Sequence, residues 1–328
     1  MELRTTFEIE QSPKKITYND PVLFIGSCFT TEIGKQFEAG RMPVMINPSG
    51  TVYNPVSVYK TLASITNGRI YTTEDIYNHN GTWLSFNHYT DFSSDDPAEV
   101  LNKINEASEK ALKFISSAKF LFITFGTARV YRWKRSGRFV SNCHKISSSE
   151  FTNELLSPSE IVSLWSSKLT KLRSLFPDLK VVFTISPVRH WKDGAHGNQI
   201  SKSVLFLAVE ELLNHPSNPG YFPAYELVMD DLRDYRFYDD DMLHISSSAI
   251  NYIWQRFADC YLDNKTAELR NEVMKVTKAC SHRLTSALER KKRQFVASMI
   301  ERINLLEKKI PGVDLTMEKA YFNNILGE

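Results

Sequence analysis

A chain of 328 residues is long enough for one large core plus an accessory segment, and 42% hydrophobic with 24% charged residues is an ordinary globular composition. The formal net charge of +2 gives no concentrated basic footprint, so nucleic acid is not an expected partner. The strongest apolar run, Phe120 to Phe125, is strand-length and far short of the ~20 residues a membrane-crossing helix needs, so no membrane is expected either.

The stretch from Met1 to Ile16 mixes Glu8, Glu10, Lys14 and Lys15 with apolar residues, unlike a signal peptide. Cys28, Cys143, Cys260 and Cys280 are scattered without a C-x-x-C pair. Isolated cysteines and no leader predict a reducing, cytoplasmic setting. No His, Cys or carboxylate cluster has ligand spacing, so neither a metal nor a cofactor is expected.

In chain order, Val22 to Ile25 reads as a buried strand ending at Gly26, followed by a helix from about Thr30 to Phe37. Val44 to Ile46 reads as a second strand running into the turn Asn47-Pro48-Ser49-Gly50, and Pro55 to Ile65 as a helix. Asp95 to Lys119 is a long helix behind a capping-type run, and Phe120 to Phe125 a central strand ending at Gly126. Val130 to Val140 has the pattern of a hairpin around Ser136-Gly137. Ser157 to Leu175 is helical, Val181 to Ile185 a strand, Gln199 to Asn214 a helix, and Tyr221 to Met229 the last strand candidate. Ser246 to Leu262 is an amphipathic helix with a serine-rich start. The alternation predicts an α/β fold whose mostly parallel sheet is covered by helices on both faces.

Beyond about Asp263 the character changes to Lys, Arg and Glu with spaced Leu, Val and Ile, read as one or two surface helices. This predicts a domain over 1–263 and a helical extension over 264–328. The run Arg290-Lys291-Lys292-Arg293 is expected to be a solvated helix face packed on the domain or on a second subunit, so a homo-oligomer through these helices is one reading. An anionic-ligand contact is the sharper reading of the same run.

The chemistry concentrates in two places. The first strand runs through Gly26-Ser27-Cys28-Phe29 directly into a helix, and such a corner puts a side chain at the C-terminal edge of the sheet, where open α/β sheets bind ligands. The N–H groups of the helix start favour developing negative charge there. Near the other end lies Asp241-Met242-Leu243-His244. At that spacing the carboxylate can fold back onto Nδ1 of the imidazole and leave Nε2 free as a base, whereas Asp239 and Asp240 are read as solvated.

Strand–Gly-x-nucleophile at the start and Asp-x-x-His before a late helix resemble the first and last blocks of the SGNH/GDSL hydrolases. More specifically, Phe24-Ile25-Gly26-Ser27-Cys28-Phe29 resembles the signature of the GSCFA family. Asn47-Pro48-Ser49-Gly50, Tyr53-Asn54-Pro55, Phe125-Gly126-Thr127, Asn142-Cys143-His144-Lys145, Ser186-Pro187-Val188-Arg189-His190 and Ser201-Lys202-Ser203 extend the likeness over roughly residues 1–262. The resemblance implies a three-layer α/β/α sandwich of SGNH-hydrolase type, followed by the helical C-terminal extension. It aligns Cys28 with the nucleophile position, and Ser27 stands beside it as the alternative. It implies Gly50 as a backbone oxyanion donor. The third block reads Gly126-Thr127-Ala128-Arg129 and lacks the usual Asn donor, with Thr127, Asn142 or Asn54 as replacements.

A free thiol with a pKa of about 8.5 needs roughly 2 kcal/mol to reach about 7. A helix N-terminus supplies about 0.3–1 kcal/mol, so His244 must provide the rest if Cys28 is to be a strong nucleophile. Asn142 and His144 are expected to line the pocket, against an Asx turn beside a surface His. Arg189 and His190 are expected to face it, with Arg189 reading a carboxylate or phosphate, against a surface ion pair. His79 and His88 lie in the aromatic-rich stretch from Tyr77 to Phe92, read as a lid, a sugar-stacking wall or a packed excursion; His196 and His215 are read as surface residues. The expected activity is that of an esterase or deacylase on a small-molecule or glycan acyl substrate. Cys28 attacks, His244 moves the proton and Asp241 orients it. Acyl transfer through the same intermediate and a non-catalytic binding module are the alternatives.

Overall fold

The computed structural model describes residues 5–281 and 289–326. In chain order these form β1 (Val22–Gly26), α1 (Cys28–Ala39), β2 (Val44–Ile46), α2 (Pro55–Thr66), β3 (Tyr77–His79), β4 (Thr82–Leu84) and α3 (Pro97–Ser117). There follow β5 (Phe120–Phe125), β6 (Arg129–Trp133), β7 (Arg138–Val140), β8 (Phe151–Leu155), α4 (Pro158–Leu175), β9 (Lys180–Ile185), α5 (Gly194–Leu213) and β10 (Gly220–Phe222). A short α6 (Ala224–Glu226), α7 (Ser247–Tyr261), α8 (Asn264–Ser281), α9 (Glu289–Lys309) and α10 (Thr316–Leu326) complete the described chain.

The apolar runs pair into one parallel sheet of five strands in the order β10-β9-β5-β1-β2. Because side chains alternate along a strand, each strand feeds two cores. Val22 and Phe24 of β1, with Phe120 and Phe122 of β5, face Phe37 of α1 and Trp254 and Phe257 of α7. Leu23, Ile25, Leu121 and Ile123 face Leu62 of α2, Trp165 of α4 and Leu205 of α5. This is the three-layer α/β/α sandwich that the sequence predicts. Helix caps are short polar side chains just before each helix: Asn54, Asp96, Ser157 and Ser246 each accept from a first-turn N–H.

Several local expectations change. The stretch from Tyr221 to Met229 is a strand only over Gly220–Phe222; from Ala224 the chain turns helical, burying Ala224, Leu227 and Val228 in the core against α7. Pairing with β9 ends at Phe222, so nothing holds the later residues extended. The hairpin around Ser136-Gly137 forms as β6 and β7, and β8 adds to it antiparallel, a strand the sequence reading missed because most of Phe151–Leu155 is exposed. Tyr77 and Phe86 from the aromatic-rich stretch pack against Trp133. The helices beyond residue 263 are not confined to the surface: Val273, Val276, Val296, Ile303 and Phe322 are fully buried in the same apolar cluster as Phe24 and Phe122. The run Arg290 to Arg293 lies in the first turns of α9, and Arg293 pairs with Glu289. No helix among the described residues is long and apolar enough to cross a membrane.

Candidate active site

The parallel sheet brings the C-terminal ends of β1, β5 and β9 side by side, with Gly26 opposite Thr124 and Phe125 opposite Ile185. At Gly26 the chain leaves the sheet with φ 153°, and a Cβ there would lie 2.3 Å from the Thr124 carbonyl oxygen. Only glycine allows that approach. The N–H of Gly26 donates to Asn47 Oδ1 at 2.8 Å, and its carbonyl accepts from Val52 N–H at 3.0 Å, so the corner is fixed by residues well along the chain.

Ser27 and Cys28 emerge from this corner with different fates. Ser27 is 1% exposed and its hydroxyl, at the helix N-cap, makes no hydrogen bond among the described residues. Cys28 is half-buried and opens onto a pocket of about 240 Å³ shared with Glu32, Val188, Asp239, His244 and Ser247. Access therefore favours Cys28. Burial pushes its thiol up from the usual range; the N–H groups of Phe29 and Cys28 pull it down, Glu32 opposes ionisation and Lys202 favours it. The helix start thus acts on the sulfur as the sequence implies, but desolvation outweighs it.

The candidate base is held by local hydrogen bonds. Asp241 Oδ1 accepts the N–H groups of Leu243 (2.9 Å) and His244 (2.8 Å), while His244 donates from Nδ1 to Asp241 Oδ2 at 2.6 Å. Met242 bends the chain with φ 57° to permit this. The hydrogen bonds from His244 hold the Asp241 carboxyl down at about 2, so the group is charged at all ordinary pH. With Nδ1 committed, Nε2 is left as the acceptor, and His244 lines the same pocket as Cys28.

The expected oxyanion donors are otherwise employed. Gly50 N–H donates to Asn47 O at 2.7 Å, closing the tight turn, and is not free for a substrate. Thr127 N–H donates to the Tyr53 carbonyl at 3.0 Å, and the Thr127 hydroxyl bonds Ser201 Oγ at 2.9 Å. Each of these groups is spent on holding its own loop. Asn54 caps α2 through Oδ1, and its Nδ2 makes no hydrogen bond among the described residues. Tyr53, beside it, lies close enough to Cys28 to feel its charge, and burial first, then Cys28, pushes its phenol up to about 12. A neutral phenol is a donor, and this residue was not singled out from the sequence.

A family model for the GSCFA family matches residues 21–257, which include the glycine corner, Cys28, Asp241 and His244. The chain belongs to the GSCFA family. No curated protein matches it. Among solved structures it is similar to a Streptococcus pneumonia protein provisionally assigned as a platelet activating factor, with TM-score 0.39 and 12% identity over 74% of this chain and 83% of that one. It is also similar to an acetyl xylan esterase, Est2A, of the rumen bacterium Butyrivibrio proteoclasticus, with TM-score 0.36 and 11% identity over 79% of this chain and 65% of that one. Identities this low leave both activities with those proteins, and the fold is read from the sheet order of the chain itself.

Around the GSCFA corner the remaining candidates separate. Asn142, His144 and His190 line a pocket of about 360 Å³ with Tyr53, Asn54, Tyr89, Tyr131 and Arg129. Within it Asn142 Oδ1 accepts from His144 N–H at 2.9 Å, the Asx turn that was the plainer expectation, and burial pushes the His144 ring down. Burial likewise holds His190 down at about 4, so it is neutral, edge-on to Tyr53. Arg189 instead faces a second groove of about 510 Å³, lying over Trp191 and beside Asp241 and Met242. His88 is buried against Ser85 and Tyr71, and burial holds it down at about 3, so it is a core residue rather than a lid. Another cavity, of about 740 Å³, lies away from Cys28 between α2 and the β6–β7 hairpin. Sequence reasoning noted Lys202 only within a short motif; the structure buries it next to the corner.

Proposed function

We propose that this GSCFA chain is an esterase or deacylase working through a thioester on Cys28. The observation that carries the reading is one pocket shared by the accessible thiol of Cys28 and a His244 already oriented by Asp241. Because burial keeps the thiol protonated at rest, attack is coupled to proton removal. Cys28 Sγ bonds to the acyl carbon as its proton passes to His244 Nε2. The C=O electrons move onto oxygen, where the N–H groups of Cys28 and Phe29 are the nearest backbone donors, with Asn54 Nδ2 and the Tyr53 hydroxyl as side-chain candidates. Collapse breaks the ester C–O bond, and His244 returns the proton to the leaving alkoxide. Water, deprotonated by His244, then hydrolyses the thioester and restores the thiol.

The 360 Å³ pocket, which Tyr53 lines, supports a polar, ring-bearing leaving group such as a sugar, since Tyr53, Tyr89 and Tyr131 offer rings and Asn54, Asn142 and Arg129 offer donors. The same pocket favours a second reading, acyl transfer, in which a hydroxyl or amine bound there takes the acyl group in place of water. The deciding experiment is intact-mass spectrometry after incubation with p-nitrophenyl acetate. An acetyl adduct on Cys28, absent in Cys28→Ala, retained in Ser27→Ala and suppressed in His244→Ala, is expected. If wild type forms no adduct and releases no p-nitrophenol, the covalent reading is wrong and a binding module remains. Acceptor-dependent product from an acyl donor would separate transfer from hydrolysis.

A further inference from the structure

The buried stripe of α5 runs Asn198, Ser201, Lys202, Leu205, Ala208, Val209 and Leu212. At helical spacing every one of these positions faces the core, yet the first three are polar. They brace the loops around the reactive corner. Asn198 Oδ1 accepts from His190 N–H at 2.9 Å, and Ser201 Oγ accepts from Ala128 N–H at 2.8 Å. Lys202, 1% exposed, donates from Nζ to the carbonyls of Gly126 (2.8 Å) and Ser186 (2.5 Å), the residues that follow β5 and β9. It forms no salt bridge among the described residues, so its amine has two carbonyls and no carboxylate. Gly126 in turn packs on Ser27, with a Cβ position there 3.6 Å from Ser27 Cβ.

A buried ammonium without a counter-ion is costly, and proteins seldom keep one without a use. We propose that Lys202 is a positioning residue of this site, supplying from beneath the corner the counter-charge for the Cys28 thiolate. The inference rests on Cys28 as the reactive group, but its test reads the thiol itself and stands whether or not an acyl-enzyme is ever seen. Burial pulls Lys202 down to about 7; Cys28 draws it back up and Arg189 lowers it further. Tyr225, whose ring centre lies 5.6 Å from Nζ, and His190 also face Lys202. Among the described residues the other charged and titratable groups facing Cys28 are Glu32 on its own helix, Tyr53 before α2, and Asp239 and His244 on the loop before α7. Of these Glu32 opposes the thiolate, and Lys202 is the buried cation that favours it.

The sign follows from the amine. Below about pH 7 Lys202 is charged and lowers the cost of the thiolate; as pH rises beyond that, the amine loses its proton and the help fades. Iodoacetamide alkylation of Cys28, followed by peptide mass on the full chain between about pH 5.5 and about 9.5, reads this directly. Lys202→Met is expected to slow alkylation about tenfold near about pH 6, one pKa unit, and to converge with wild type above about pH 9. Lys202→Arg, charged throughout, is expected to keep the acceleration at every pH. A ratio independent of pH, or no difference, overturns the proposal in favour of a purely structural brace. If the Lys202 variants do not fold, the coupling is read from the other side. Cys28→Asp is expected to raise the Lys202 titration midpoint, followed by NMR of 13C-labelled lysine, by about one unit over Cys28→Asn. Equal midpoints in those two variants overturn it equally.

Discussion

The two halves of the proposed reactive centre are built in opposite ways. The Gly26–Phe29 corner depends on partners far along the chain: Asn47 and Val52 fix Gly26, Thr124 leaves no space for a Cβ, and Lys202 holds the neighbouring loop ends. The Asp241–His244 loop depends on itself, since all the hydrogen bonds that shape the carboxylate and imidazole lie within four residues. Half of the Asp241 and His244 side-chain surface is open to solvent, whereas Ser27 is sealed. The difference shows what each half needs. A nucleophile must meet helix N–H groups and a pocket at fixed distance, which takes a rigid sheet edge. A base needs one tautomer and freedom to follow the proton, which a short hydrogen-bonded turn supplies.

That contrast is sharpest under substitution. The largest effect is expected for Gly26→Ala, which forces a Cβ into the β5 backbone. A loss of about 3 kcal/mol or more by urea unfolding, together with loss of Cys28 reactivity, is expected. A stable, reactive Gly26→Ala protein would show that the corner is less rigid than the sheet implies. Next comes Asp241→Asn. Turnover of an ester is expected to fall by about 10²- to 10⁴-fold, because an amide favours the wrong imidazole tautomer, while the melting midpoint stays where it is. Because the carboxyl is held at about 2, Asp241 itself stays ionised as pH falls until that value is reached; any acid loss of activity above it belongs to another group. Loss of thermal stability with unchanged turnover would reverse the assignment and make the pair structural. The smallest effect is expected at Met242, whose φ of 57° is one that glycine adopts freely. Met242→Gly trades that strain against extra freedom of the unfolded chain, so stability by urea midpoint should move by no more than about 0.5 kcal/mol. A large drop would mean that this exposed side chain anchors the loop against the groove it lines.

Much of the architecture was legible because periodicity and punctuation agreed. The buried strands at 22–26, 120–125 and 180–185 show as apolar runs at 22–25, 120–125 and 181–185, and the helices capped by Asp96, Ser157 and Ser246 start where the sequence marks them. The Asp-x-x-His turn was equally legible, for its geometry is local. What could not be read was where shared groups are spent. Nothing in Asn47-Pro48-Ser49-Gly50 announces that the Gly50 N–H closes its own turn, nor in Gly126-Thr127 that the Thr127 N–H goes to Tyr53. Lys202 did leave a trace, a cation at a stripe position otherwise filled by Leu205, Val209 and Leu212. The apolar positions of α8 and α9 were seen as a surface pattern, and their burial against Phe24's core became visible only with the sheet in place.

By itself, then, the sequence determined most of the elements, the layering of helices on both faces of a parallel sheet, the family signature and the carboxylate–imidazole turn, since these rest on spacing along a few residues or on alternation along one strand. Tertiary structure decided which of Ser27 and Cys28 meets the pocket, which backbone donors remain free, and that a lysine lies buried against the Gly126 and Ser186 carbonyls. Those outcomes depend on groups separated by tens to hundreds of residues competing for the same hydrogen bonds and the same space. No local pattern records the result of that competition.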